Sequence, residues 1–227
     1  MYGENYSSLR RILVYVFSMA LLSLGVYFMT SANLGVAPII SLPFVISKVM
    51  GLSLGLTAFC ANIAFILIQV LILKKRFPKQ EFLQIAASFL FSFFVDLMAF
   101  LLAFVFVPVS LPERIISFIF GLFLIATGVS LMSLSRLFML PGDAISRVIA
   151  KERGRDFGKT KVFIDASVVV LSTSLSFFFL KRLEGVHIGT LITVLLIGNI
   201  VSFFHSKFGD KVEAFIGFEP VLKEEVA

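Results

Sequence analysis

PIISLPFVISKVMGLSLGLT spans residues 38–57, and PGDAISRVIAKERGRDFGKT spans residues 141–160. The first stretch is almost uncharged and the second is rich in charge, yet proline, two glycines and threonine recur in both at the same spacing. Each matched pair is separated by 103 residues. Glycine and proline mark helix ends and close backbone contacts, so their shared spacing predicts a duplicated fold. The matched residues are Pro38, Gly51, Gly55 and Thr57, followed by Pro141, Gly154, Gly158 and Thr160.

The composition indicates a membrane protein. Hydrophobic residues make up 59% of the 227 residues and charged residues 15%, and the mean hydropathy is +1.02. Such a chain has too little polar surface to face water on all sides. Six segments are continuously apolar over the roughly 20 residues that a helix needs to cross a bilayer, and none alternates as a barrel strand would. The predicted fold class is therefore an all-α polytopic membrane protein, with spans near 11–30, 54–73, 84–107, 115–134, 162–180 and 187–205.

The net charge of +6 follows the predicted topology and does not indicate a nucleic-acid ligand. With the N-terminus inside, 16 of the 20 lysines and arginines fall in inner segments. That excess is the positive-inside pattern of plasma-membrane proteins. We therefore expect a multi-pass protein of the cell membrane with both termini in the cytoplasm, whose immediate partner is the lipid bilayer.

Each predicted half has three spans, so the second half must enter the membrane from the opposite side. This arrangement is the inverted repeat found in many secondary transporters. The predicted division is an N-terminal repeat at 1–107, an inverted C-terminal repeat at 108–205 and a cytoplasmic tail at 206–227. Matches at the same offset extend into the spans, pairing Gly25 with Gly128, Asn62 with Asp165, and Asp96 with Asn199.

A helical linker is predicted after the first span of each half. Proline suits the first turn of a helix, and Gly51 and Gly154 suit a left-handed stop at its end. The second linker is amphipathic, with Ala144 and Ile145 on one face and Asp143, Arg147 and Lys151 on another. The first linker is apolar all round, which predicts a buried or re-entrant helix.

The motifs LGVAP…GLSLG and LPGDAISRVIAKERGRDFGKT, with an aspartate in the third span, resemble the YczE/YyaS/YitT group of bacterial membrane proteins. The chain is most similar to the YczE branch, over residues 10–205. Ile39 and Ile40 stand where that branch would have an aromatic residue followed by aspartate, whereas Gly142 and Asp143 keep the acid in the second copy. The resemblance implies a multi-spanning membrane protein and no particular substrate.

Asp96 is the most conspicuous candidate residue, since it lies near the middle of the third predicted span. A charge at the bilayer centre costs about 3 kcal/mol, so we expect it to face the bundle interior or a cavity. It either belongs to a solute or proton site or bonds structurally to a group such as Asn199. Asn62, Asn199 and Asp165 are the other intramembrane polar candidates, for which interhelical bonding and helix-end stabilisation are the alternatives.

Enzymatic chemistry is not expected. No phosphate-binding loop, zinc-peptidase helix or nucleophile elbow occurs, so we predict no catalytic residue and no cofactor. The single cysteine, Cys60, and the two histidines have no partners at ligand spacing, so no metal site is expected either.

Two functions remain open. The protein is either a small secondary transporter or permease subunit for an unidentified small solute, or a non-transporting membrane partner. In the second case the basic linker at 136–161 docks a cytoplasmic protein or anionic lipid through Arg147, Lys151 and Arg153. Six helices are few to enclose a path, which favours a homodimer or a partner subunit.

Overall fold

A computed structural model of the protein describes residues 8–217, and these residues form helices and connections without strands. Six helices are long and apolar enough to cross a membrane, and shorter helices α2 and α6 follow the first and fourth of them. The helices are α1 (Ser8–Ala32), α2 (Pro38–Met50), α3 (Leu54–Leu73), α4 (Leu83–Leu102), α5 (Leu111–Leu134), α6 (Pro141–Glu152), α7 (Phe157–Leu175) and α8 (Ile188–Ile216).

The ends of the two linker helices follow the predicted chemistry. Proline occupies the first turn of α2 and of α6, where its missing N–H leaves no intrahelical bond unmade. Gly51 and Gly154 adopt left-handed backbone conformations, with φ of 67° and 57°, just beyond the two helices. The structure therefore confirms the predicted linker helices and their glycine stops.

Two boundaries differ from the predictions. Helix α4, which corresponds to the third predicted span, ends at Leu102 and not at residue 107. Residues 103–110 form the connection to α5, which begins with a capping box of Ser110 and Glu113. The last helix does not end at residue 205 but continues to Ile216, with Gly217 in a left-handed cap. Most of the predicted tail at 206–227 that the structure describes is therefore helical, and residues 218–227 lie outside the described part.

Helices α1 and α5 form the central pair of the bundle and run antiparallel. A Cβ at Gly25 would lie 2.7 Å from the Gly121 carbonyl oxygen, and one at Gly128 would lie 2.9 Å from the Ser18 carbonyl oxygen. Under the 103-residue offset, Gly25 is equivalent to Gly128 and Gly121 is equivalent to Ser18. The two contacts are therefore equivalent to each other. Glycine is needed at both points because the backbones touch there.

At each end of this helix pair, one arginine side chain donates hydrogen bonds to backbone carbonyl oxygens. Arg11 donates to the carbonyl oxygens of Ser135 and Arg136, at 3.1 and 2.7 Å. Arg114 donates to those of Ala32 and Asn33, at 2.6 and 2.8 Å. These two sets of contacts are also related by the 103-residue offset, and each guanidinium stabilises carbonyl groups that a helix end leaves unpaired.

Helices α2 and α6 approach each other inside the bundle at their N-terminal ends. A Cβ at Gly142 would lie 2.5 Å from Cγ1 of Ile39, and these two residues are equivalent under the offset. Both helices pack against α3 and α7. The halves differ in one respect, since α3 packs along α4 whereas α7 scarcely touches α8.

Candidate functional site

A cavity of about 440 Å³ lies where the two linker helices meet. All eight helices contribute to its walls, which are mostly apolar. Its volume is in the range of sites that hold small organic molecules. Apart from Ser133 on α5, the polar residues that line it lie on α3, at the start of α6 and on α7, and they are Asn62, Asp143, Lys161 and Asp165.

Three charged side chains form a cluster on one wall, which we call the charged triad: Asp143, Lys161 and Asp165. Lys161 Nζ lies 2.9 Å from Oδ1 of Asp143 and 3.0 Å from both carboxylate oxygens of Asp165. Asp165 is only 9% exposed. Two carboxylates share one ammonium group, so the triad carries a net charge of −1 when all three groups are ionised. Burying such a cluster inside a membrane protein costs free energy, so its presence makes these residues candidates for a functional site.

The wall formed by α2 and α3 holds the offset equivalents of the triad, and these are Ile40, Ala58 and Asn62. The same three backbone positions therefore line the cavity from both halves, but one set is charged and the other is apolar apart from one amide. The cavity is accordingly amphipathic, with its charges confined to the wall formed by α6 and α7.

Asn62 is 8% exposed and its side chain makes no hydrogen bond within residues 8–217. A buried amide normally finds partners for its two N–H groups and its oxygen. Because Asn62 lines the cavity, its amide is free to bond to water or to a ligand in this space. The predicted interhelical hydrogen bond of Asn62 is not formed.

Asp96 lies away from the cavity wall and caps another helix. Its Oδ1 accepts from the Gly55 N–H at 2.7 Å, and its Oδ2 accepts from Ser53 Oγ at 2.7 Å. A Cβ at Gly55 would lie 2.3 Å from the Ser92 carbonyl oxygen, so glycine permits this approach of α3 and α4. The carboxylate satisfies the start of α3. Because α4 ends at Leu102 and not at residue 107, Asp96 lies nearer the end of its helix than the sequence predicted.

Asn199 does not meet Asp96. Its side chain is exposed and donates to the Leu195 carbonyl oxygen of its own helix at 3.3 Å. Since α7 and α8 scarcely touch, Asn199 also lacks the equivalent of the contact that Asp96 makes with the start of α3. Of the four predicted site residues, the structure brings Asn62 and Asp165 to the cavity and leaves Asp96 and Asn199 elsewhere.

The remaining predicted residues have simpler positions. Gly55 and Gly158 lie in the first turns of α3 and α7, and Gly158 lines the cavity. Arg147, Lys151 and Arg153 are all exposed along and just after α6. No cluster of three or more metal-ligating side chains occurs in the described part of the chain.

Sequence reasoning missed Lys161 and Asp143 as site residues. Asp143 was assigned to the outward polar face of α6, but it lies in the first turn, next to the point where α2 and α6 meet. The spacing of Lys161 and Asp165 by four residues in an apolar span was the available signal. It indicated an ion pair within α7, but not that a third charge from α6 would join it.

The comparisons with known proteins identify a family and one relative. The sequence profile described as "Family of unknown function (DUF6198)" matches residues 9–206. The "Uncharacterized protein YyaS" of Bacillus subtilis (strain 168) is 25% identical over 190 residues, which is 84% of this chain and 90% of the relative. No solved structure matches closely enough to count as a relative.

Proposed function

Starting from the membership of this chain in the family of unknown function DUF6198, we propose that it is a small secondary transporter. A small solute binds in the central cavity and leaves on the other side of the membrane after the two halves rock about it. The observation that carries this proposal is the amphipathic cavity at the meeting point of α2 and α6, lined from both halves by equivalent positions. Discontinuous or re-entrant helices that meet near the midplane are the usual place for a transporter site.

The contacts that are equivalent under the 103-residue offset support the inverted repeat that such a mechanism needs. Two pairs of contacts obey the 103-residue offset, those of the glycines of α1 and α5 and those of the two arginines, and one further contact joins the equivalent residues Ile39 and Gly142. In a parallel repeat, α1 and α5 would run in the same direction. An antiparallel central pair is what two inverted halves require.

The remaining parts of the proposal concern orientation and assembly. The charge distribution supports cytoplasmic termini in the cell membrane, with α6 on the cytoplasmic side. Arg114 is among the few cations on the outer side, and its bonds to the end of α1 account for its presence there. A homodimer or a partner subunit would cover the exposed apolar faces of α7 and α8.

Uptake by proteoliposomes tests the transport proposal with a matched pair of variants. Ala61 lines the cavity, whereas Ala64, one turn further along α3, is exposed on the outside of the bundle. Radiolabelled amines, amino acids and carboxylates are supplied in turn. We expect at least one class to be taken up, Ala61→Phe to reduce the rate more than tenfold by filling the cavity, and Ala64→Phe to leave it unchanged. Equal uptake by both variants and by protein-free vesicles would rule out transport through this cavity.

The exposed cations of the second linker favour one alternative. Arg147, Lys151 and Arg153 face outward together, and their helix carries apolar residues only on the side that packs on the bundle. A non-transporting protein that docks an acidic partner or anionic lipid through this surface would have the same exposure pattern. Replacement of the three cations by glutamine would then abolish its activity, whereas the transporter would keep its uptake.

A further inference from the structure

We infer that the ligand of the cavity is an organic ammonium ion with a compact apolar body. This inference rests on the proposed function only in taking the cavity as the solute site. It follows from the charge of the triad, the asymmetry of the two walls and the position of the unpartnered amide.

The triad has room for a second cation. Asp143 contacts Lys161 through Oδ1 at 2.9 Å, and within residues 8–217 its Oδ2 accepts no hydrogen bond. Asp165 uses both of its carboxylate oxygens on the same ammonium group. Asp143 is thus the carboxylate of the triad with an oxygen left for another donor, and it lines the cavity. A ligand ammonium that donates to Oδ2 would neutralise the cluster and complete the hydrogen bonds of Asp143.

Outside the triad, the cavity lining is mostly apolar and favours a ligand with an apolar body. Ile40 and Ala58 lie on the wall formed by α2 and α3, and around them lie aromatic and aliphatic side chains of α1, α3, α4, α5 and α8. A small inorganic cation would leave most of this surface in contact with poorly bonded water. Asn62 lies on the apolar wall, where its amide offers one further hydrogen bond to a polar atom of the ligand.

An anionic group finds weaker partners. The N-terminal ends of α2 and α7 both line the cavity without an acidic residue in the first turn. The start of α7 is already capped by the carboxylate of Asp156, which leaves the start of α2 as the candidate for binding a carboxylate there. However, Pro38 has no N–H, and the N–H groups of Ile40 and Ser41 already donate to the Ala37 carbonyl oxygen. Only the N–H of Ile39 remains in that turn, which is too few donors to hold a carboxylate beside two aspartates.

Binding of four small molecules distinguishes the contribution of the ligand's charge from that of its apolar ring. Phenethylammonium has the cation and the ring, phenylalanine adds a carboxylate, 3-phenylpropionate has the ring with an anion, and ethylammonium has the cation without the ring. Their dissociation constants are measured by calorimetry on the purified protein in nanodiscs. We expect phenethylammonium to bind at least tenfold more tightly than each of the other three.

Matched variants locate the binding site. Asp143→Asn removes the charge that faces the ligand, and Asp210→Asn removes an exposed charge on α8 away from the cavity. We expect Asp143→Asn to weaken phenethylammonium binding about tenfold or more, the usual effect of losing a charge-assisted hydrogen bond, and Asp210→Asn to leave it unchanged. Circular dichroism and size-exclusion elution of both variants show whether they are folded. If Asp143→Asn does not fold, Ala58→Phe, which fills the cavity beside the triad, must abolish binding instead.

Each outcome bears on one claim. Binding of 3-phenylpropionate or phenylalanine as tight as that of phenethylammonium would overturn the inference about ligand class and leave the transport proposal standing. Absence of phenethylammonium binding, or binding unaffected by Asp143→Asn in a folded protein, would also overturn it. Binding in the cavity without uptake by proteoliposomes would uphold the ligand class and refute transport.

Discussion

Equivalent polar residues have taken different roles in the two halves. Asn62 and Asp165 both line the cavity, one as an unpartnered amide and the other in an ion pair. Asp96 and Asn199 differ further, since the carboxylate caps α3 while the amide bonds only to its own helix. At this scale the environment of a residue, and not its type, determines whether it belongs to the site or to the scaffold.

The scaffold role of Asp96 predicts a specific loss of stability. Asp96→Leu removes two hydrogen bonds to a charged acceptor and leaves the Gly55 N–H without a partner, so we expect it to lower the free energy of unfolding by about 3 kcal/mol. Asn199→Leu, at the equivalent position, should change it by less than about 0.5 kcal/mol because the side chain is exposed. Reversible unfolding in mixed micelles measures both. If Asp96→Leu were as stable as the unmodified protein but had lost uptake, Asp96 would instead belong to the solute site.

The helices of the two halves differ in how tightly they are joined. The carboxylate of Asp96 and the close approach at Gly55 hold α3 against α4, whereas nothing equivalent joins α7 to α8. The cavity extends between α7 and α8, where Gly158 and Gly198 line it without side chains. The second half is therefore the more open side of the site, and the first half is its rigid support.

Spin labels at equivalent positions measure this difference. Leu56 on α3 and Phe93 on α4 are exposed, and so are their equivalents Lys159 on α7 and Leu196 on α8. In nanodiscs, double electron–electron resonance should give one narrow distance for the pair of labels on α3 and α4. The pair on α7 and α8 should give a broader distribution that narrows when phenethylammonium is added. Equally narrow distributions for both pairs would show that the second half is as closed as the first.

At the scale of the whole molecule, the sequence predicted the spans, the linker helices and their stops, because these depend on local hydrophobicity and on proline and glycine. It also drew attention to Asn62 and Asp165 through their shared offset. It could not place Asp143 at the triad, because that contact depends on how α6 meets α7 in space. It misplaced Asp96 for the same reason, since the partner on α3 is distant in the chain.

The role of the cavity as a solute site reached from both sides of the membrane is tested most directly at Asn62. Asn62→Cys, made in a chain whose one native thiol is removed by Cys60→Ala, places a single thiol on the cavity wall. A membrane-impermeant thiol reagent is applied to right-side-out and to inverted vesicles, with Ala64→Cys as a control exposed outside the bundle. We predict that the Asn62→Cys thiol reacts from both sides and that the control reacts from neither. Reaction from one side only, or none until the protein is denatured, would contradict transport through this cavity.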